Sequence, residues 1–305
     1  MTSPLRTDRL TKEFPGVTAL HQVTLDVPEG AVFALVGPNG AGKTTAFKTI
    51  LNLQQPTSGR AQVLGVDSRS LGPAELARIA YVSEDLKLPD WMTAGYFLSY
   101  CREFYPGWRD DDLADLVRLY ELPLDRKLRH LSRGARVKAM LASSLAYRPK
   151  LILLDEPFGG LDVLVREQLI ESILERTPES TVVLASHDLA EIESFASHIA
   201  YLSDGRLQFV EEMAALSDRF REVEVTLEQP ADLPRELPPG WMNAEQSGVV
   251  VRFTDCRFDA RSQAEIRSRF PGVREVAARV MPLRSIVVAL ARSAKANANA
   301  GERHA

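Results

Sequence analysis

The apolar and polar positions change period several times along the chain. Thr24-Leu25-Asp26-Val27 alternates and stops at Pro28-Glu29-Gly30, the pattern of a half-buried strand ending in a turn. Residues 31–36 form an unbroken apolar run of strand length, as expected of a central strand covered on both faces. A glycine-rich stretch then leads into a predicted helix over 44–52, with Phe47, Ile50 and Leu51 on one side, and residues 54–59 break it. Residues 80–82 read as a short strand. Residues 151–154 and 181–185 are two further buried-strand runs, each followed by polar residues and a helical pattern. Strands alternating with helices predict an α/β class with a mostly parallel sheet and helices on its faces.

Residues 85–147 read as mostly helical and begin with a crowd of rings: Trp91, Tyr96, Phe97, Tyr100, Phe104, Tyr105 and Trp108. Most of these are expected to fill the core of that helical stretch. After about Ser217 the texture shifts. Alternation predicts strands over 222–227 and 249–253, a helix over 265–270 and a third strand over 285–290. The expected organisation is a main domain over 1–216, a small α+β appendage over 217–292, and a disordered Ala/Asn-rich tail over 293–305 with little to bury.

Composition narrows the classes. The chain has 305 residues, 45% of them hydrophobic, and a formal charge of −4, enough to build a full core and no general reason to bind nucleic acid. Cys101 and Cys256 are far apart and in no metal-ligand spacing, which predicts two reduced thiols in the cytosol. The first residues, Met1 to Arg6, lack an apolar stretch, so no signal peptide is expected. No run of about 18 apolar residues occurs, so a role at a membrane requires a partner chain to supply the spans.

The chemistry concentrates in three places. Gly37-Pro38-Asn39-Gly40-Ala41-Gly42-Lys43-Thr44 matches the phosphate-loop pattern G-x-x-x-x-G-K-[ST] between a predicted strand and a predicted helix. The glycines let backbone N–H groups turn inward around phosphate oxygens, and the helix that follows points its positive end at the same anion. Lys43 brings a charge to the β- and γ-phosphates, and Thr44 offers a hydroxyl to Mg2+. The run over 151–154 delivers Asp155 and Glu156 to the carboxyl edge of the sheet, where ligands of open α/β sheets bind. There Asp155 suits Mg2+ coordination and Glu156 suits the attacking water. His187 ends another buried run and is placed to sense the γ-phosphate.

In this order the motifs resemble those of the nucleotide-binding subunit of ATP-binding cassette (ABC) transporters, over about residues 4–215. The resemblance implies a P-loop NTPase fold of the ABC type, a mixed sheet with a helical subdomain, and an ATPase using ATP and Mg2+. It implies that Phe14, with Val17 nearby, stacks on adenine, and that Asn39, Gly40, Ala41, Gly42, Lys43, Thr44 and Thr45 hold the phosphates. Gly160-Leu161-Asp162 resembles the D-loop that crosses a dimer interface. Leu131-Ser132-Arg133-Gly134-Ala135 stands where the family has Leu-Ser-Gly-Gly-Gln, so Ser132 and Gly134 are the signature residues expected to face a γ-phosphate, and Arg133 is either solvated or near phosphate. Glu84 replaces the usual glutamine and is expected to reach Mg2+ or water.

The resemblance further implies a site shared between two subunits, one giving the phosphate loop and Glu156, the other the signature. It implies a homodimer or heterodimer, separately encoded transmembrane permease subunits, and a place on the cytoplasmic face of the inner membrane. The segment 85–108, with Phe104-Tyr105-Pro106-Gly107-Trp108, and the segment 282–290 resemble a bacterial exporter branch for drugs, antibiotics and envelope components, and the aromatics would offer a groove for a coupling helix. Two other roles remain open. A soluble relative acting on ribosomes or DNA is disfavoured by a single cassette without a heptad array. A module that only binds ATP is favoured by the altered signature and opposed by Lys43, Asp155, Glu156 and His187.

Overall fold

The computed structural model describes residues 3–83, 85–230, 233 and 237–302. The chain divides into two compact units: Met1–His187 with Leu202–Leu207, and Asp188–Tyr201 with Gln208–Ala305. The division falls earlier than the expected boundary at residue 216, because a hairpin near residue 204 is shared between them.

In the first unit, β1 (Leu5–Phe14) and β2 (Val17–Val27) form a long antiparallel ribbon. β3 (Val32–Val36) runs into the glycine loop and α1 (Lys43–Ile50). β4 (Ser58–Val63) and β5 (Val66–Asp67) complete a sheet in the order β2-β1-β4-β5. Next come α2 (Pro73–Leu76) and β6 (Ile79–Ser83), then the helical stretch of α3 (Ala94–Arg102), α4 (Asp110–Leu119) and α5 (Arg133–Leu145). β7 (Leu151–Asp155), α6 (Val163–Arg176) and β8 (Thr181–Ser186) close the unit. β3, β8, β7 and β6 lie side by side, all parallel. Every residue of β7 and β8 is buried, which is why these strands read as near-continuous apolar runs, with polar residues only at their ends, rather than alternating. Burying each such Leu, Ile or Val stabilises by about 1.5–3 kcal/mol, so the strand ends that carry the chemistry are rigidly placed.

The rings of the helical stretch divide against expectation. Phe97 is buried, but Trp91, Tyr96, Tyr100 and Phe104 are exposed. They pair with each other on the surface, Trp91 with Tyr96 at 5.9 Å between centroids and Tyr100 with Phe104 at 5.0 Å. Spacing explains it for α3: Tyr96 and Tyr100 are four apart and share one helical face, while Phe97 points to the other and Phe104 follows in the turn after the helix.

The second unit takes α7 (Leu189–Ile192), most of β9 (His198–Ser203) and β10 (Arg206–Glu212), then α8 (Met213–Arg219), β11 (Arg221–Leu227), β12 (Trp241–Ser247), β13 (Val250–Asp255), α9 (Ser262–Arg269), β14 (Val273–Val280) and α10 (Leu283–Glu302). Its antiparallel sheet runs β12-β13-β11-β14. One face is apolar, with Trp241 stacked on Phe253 at 4.0 Å and packed with Val223, Val225, Ile266 and Phe270. The α+β character is as expected, with three corrections. The strand expected over 285–290 is part of α10. Leu283, Ile286 and Val287 are buried while Arg284, Ser285 and Val288 are exposed, a helical rather than a two-residue period. The tail expected to be disordered continues that helix to Glu302; residues 303–305 lie outside the described residues. Finally, β12 and β14 complete a four-stranded sheet where alternation predicted fewer strands.

Candidate functional site

The site grows from the carboxyl ends of β3, β7 and β8. Beyond β3 the loop needs backbone that only glycine adopts freely: Gly40 has φ +81° and Gly42 φ +106°. A side chain on Gly42 would collide with the carbonyl of Ala19, and one on Gly37 with the carbonyl of Leu202. The turn after β9 therefore seals the loop from behind, with Gly205 N–H donating to the Ala41 carbonyl at 3.1 Å.

Lys43, at the start of α1, is buried. Its ammonium donates to the carbonyls of Gly37 at 2.8 Å and Pro38 at 3.2 Å, and lies 3.1 Å from Glu156 Oε1. Thr44 donates its hydroxyl to Asp155 Oδ1 at 2.9 Å. Asp155 is buried, and its other oxygen accepts from Tyr81 Oη at 3.2 Å and faces Ser83 Oγ at 3.5 Å. Burial pushes the Asp155 carboxyl up, while hydrogen bonds from Thr44 and Tyr81 pull it back. Burial likewise pushes the Tyr81 phenol up to about 12, so Tyr81 stays a donor.

Glu156, one residue beyond β7, has φ +51°, a conformation that costs a non-glycine residue about 1–3 kcal/mol and is kept where the surroundings demand it. The demand is visible. Its N–H donates to the Ala185 carbonyl at 3.0 Å and Oε2 lies 2.8 Å from His187 Nδ1. Oε1, facing Lys43, is buried without a hydrogen bond.

Val17, Asn39, Gly40, Ala41, Gly42, Lys43, Thr44, Thr45 and Glu156 line one cleft of about 470 Å³. Thr18, Ala19, Asp204 and Gly205 line it too; the motifs did not single them out. The Asp204-Gly205 pair between two strands was a readable turn signal. Tyr81 was also missed, because its reach to Asp155 follows from the pairing of β6 with β7. Phe14 lies outside that lining, opposite Val17 at the ribbon's end, 41% exposed, with Lys12 Nζ 4.9 Å from its ring centroid. Glu84 lies outside the described residues.

Ser132 and Gly134 sit elsewhere. Together with Arg133, Gly160, Leu161 and Asp162 they line a second cleft of about 440 Å³ that shares no residue with the first. Ser132 caps α5 by accepting from Ala135 N–H at 3.2 Å, and Asp162 caps α6 by accepting from Val165 N–H at 3.0 Å. The Arg133 guanidinium lies against Gly160: a Cβ there would be 3.0 Å from its Nη1.

The profile described as ABC transporter matches residues 20–159. The ABC transporter ATP-binding protein YtrB of Bacillus subtilis (strain 168) is 29% identical over 270 residues, 87% of this chain and 91% of that protein. The Fe(3+) ions import ATP-binding protein FbpC of Mesorhizobium japonicum (strain LMG 29417 / CECT 9101 / MAFF 303099) is 32% identical over 266 residues, 83% of this chain and 73% of that protein. The chain belongs to the ATP-binding proteins of ABC transporters. The fold of an ABC cassette is also seen in a solved dimeric structure of an ATP-binding cassette, in a post-hydrolysis state bound to ADP and Pi. It is 26% identical, with a TM-score of 0.61, and spans 68% of this chain and 98% of that one. This ABC protein is accordingly an ATPase.

Proposed function

We propose that this ABC ATPase binds Mg2+ and ATP in the cleft around Lys43 and hydrolyses ATP once a second subunit brings its own Ser132 and Gly134 over the γ-phosphate. The observation that carries this reading is the separation of the two clefts. Lys43 and Glu156 line one, the signature lines the other, and no residue is common to both. A single copy thus supplies two halves, each suited to complete a neighbour's.

The residues that would hold Mg2+ are Thr44 and Asp155. Their hydroxyl and carboxylate are hard oxygen donors already 2.9 Å apart and too few to saturate the ion, which suits Mg2+ shared with substrate phosphates. A carboxyl raised by burial also gains from a neighbouring cation. When bound, the ion supplies charge neutralisation for the phosphates. Glu156 does the proton chemistry in this reading. In the free protein its Oε1 neutralises Lys43. A triphosphate draws the ammonium to itself and leaves that oxygen to a water. The water oxygen attacks the γ-phosphorus, its proton passes to Glu156, and the bond to the β-phosphate oxygen breaks to release ADP. His187 holds the other carboxylate oxygen and keeps Glu156 aimed. Phe14, at the rim, stacks on the base in place of the Lys12 ammonium.

The partner in the membrane is a separate permease, and the exposed rings of Trp91, Tyr96, Tyr100 and Phe104 are the surface offered to it from the cytoplasmic face. No helix among the described residues is long and apolar enough to cross a membrane. Export is the direction suggested by the segments 104–108 and 282–290. A relative named for Fe(3+) import weighs against it, and cargo uptake into or release from vesicles holding the permease decides. Homodimer and heterodimer differ in whether the chain alone closes on ATP. The deciding experiment is Glu156→Gln: it is expected to bind Mg2+ and ATP, release no phosphate and elute as a closed dimer. Turnover at the wild-type rate would overturn the role given to Glu156.

A further inference from the structure

The sheet of the second unit has two edges, and they are treated differently. At β12 the ladder with β13 is broken by a register shift between Met242 and Glu245. Asn243 there has φ +52° and donates its side-chain amide to the Ala289 carbonyl of α10 at 3.2 Å. A kinked and covered edge is the usual protection against strand addition. β14 is charged but neither kinked nor covered in this way. The strand pairs with β11 in unbroken register from Glu275 to Val280, and β11 is its sheet neighbour on one side. It holds no proline, and Val280 at its end is 66% exposed.

We infer that β14 is a dimerisation edge, pairing antiparallel with β14 of a second copy of this chain about a two-fold axis at Ala277. The charges choose both partner and register. Glu275, Ala277 and Arg279 lie on one face of the strand, alternating with Arg274, Val276, Ala278 and Val280 on the other. Centring the axis on Ala277 sets Glu275 of one copy opposite Arg279 of the other, twice. It also sets Val280 opposite Arg274, whose aliphatic stem covers it. Moving the axis half a residue toward the N-terminus sets Arg274 opposite Arg279, and half a residue toward the C-terminus sets Glu275 opposite Val280. Neither recovers the charge match. Within the described residues of one copy, Glu275 stands opposite Thr226 and has no ion-pair partner, while Arg279 stands opposite Glu222 of β11 without a salt bridge to it; both are exposed. Arg252, by contrast, already pairs with Glu224 at 2.7 Å on the same face. Opposite charges directly across an antiparallel pair attract and like charges repel, so the edge selects its own image. This contact needs no nucleotide, which separates it from closure of the cassettes on ATP.

The test is sedimentation equilibrium of the full chain, stripped of nucleotide and held in a chelator. Wild type is expected to be a dimer. Glu275→Arg and Arg279→Glu each set like charges across both pairs and are expected to weaken self-association about tenfold or more. The double variant Glu275→Arg/Arg279→Glu restores opposite charges and is expected to recover the dimer, a result no folding defect produces. A monomeric wild type, or a dimer that both single reversals leave intact, overturns the inference while leaving the ATPase reading untouched.

Discussion

His187 Nδ1 lies 2.8 Å from Glu156 Oε2, the carboxylate oxygen turned away from Lys43. Glu156 is thus held from two sides by groups arriving from different elements, the lysine from α1 and the histidine from beyond β8. Removing the histidine leaves the proposed base, Glu156, present but unaimed. His187→Ala is expected to lower kcat by about a hundredfold, within the range of a lost proton-transfer arrangement. The KM for ATP should stay within a few-fold, because the phosphate loop is untouched. Steady-state phosphate release measures both.

Asp155 makes the free protein's stability depend on pH. Burial raises its folded-state pKa above the unfolded value, so the folded state binds the proton more tightly. The neutral form is then the stabilising one, and stability falls as pH rises through the interval between the unfolded and the raised folded pKa. Asp155→Asn removes the titration at this position. The difference in Tm, wild type minus variant, is expected to grow in favour of wild type as pH drops from about 7 toward the ordinary Asp value of about 3.9. Thermal melts without nucleotide or metal read it directly; a difference that is flat with pH would contradict it.

Two glycines of the phosphate loop separate strain from collision. Gly40 has φ +81° and open space where a Cβ would go. Gly40→Ala is therefore expected to cost only the left-handed penalty of about 1–2 kcal/mol. Gly42→Ala adds a clash with the Ala19 carbonyl at the head of α1. It is expected to destabilise by about 3 kcal/mol or more and to abolish ATP binding, measured by urea unfolding and by calorimetric titration with ATP.

Tyr120 joins the helical stretch to α6 through its buried hydroxyl, 2.5 Å from Ser172 Oγ. The two partners are not equivalent. Ser172 also donates to the Leu169 carbonyl, so Tyr120→Phe leaves it satisfied and is expected to cost about 1 kcal/mol. Ser172→Ala strands the Tyr120 hydroxyl in a buried site and is expected to cost more, up to about 3 kcal/mol. Urea midpoints of the two variants give the order; the reverse order would refute it.

The central strands were legible because burial on both faces writes itself as unbroken apolar runs: β3, β7 and β8 appear at nearly their observed bounds. The positions of the candidate residues followed from those strands: Asp155 ends β7, Glu156 follows it, His187 follows β8, and Lys43 and Thr44 open the helix that the glycine loop joins to β3. What the pattern hid has physical causes. Val288 continues the apolar letters of residues 286–290 but faces solvent on α10, so a helix reads as a strand. β14 has small or apolar residues on both faces and shows no alternation. Tyr81 meets Asp155 across 74 residues of chain, a contact set by the order of strands in the sheet and by nothing local. In a single copy Ser132 Oγ accepts from Ala135 N–H as a helix cap, a role that does not use its own O–H proton and that the signature pattern did not announce. The exposed rings were expected inside, because counting aromatics does not say which side of a helix they take.

The backing of the phosphate loop by Leu202 and Gly205 has a consequence for biosynthesis. The phosphate loop is translated within the first 45 residues, but the wall it leans on leaves the ribosome about 160 residues later. A nascent chain halted before that hairpin emerges carries every phosphate-contacting amide and still lacks a finished cradle. A truncated product ending before residue 202 is therefore expected to hold ATP more weakly than the full chain.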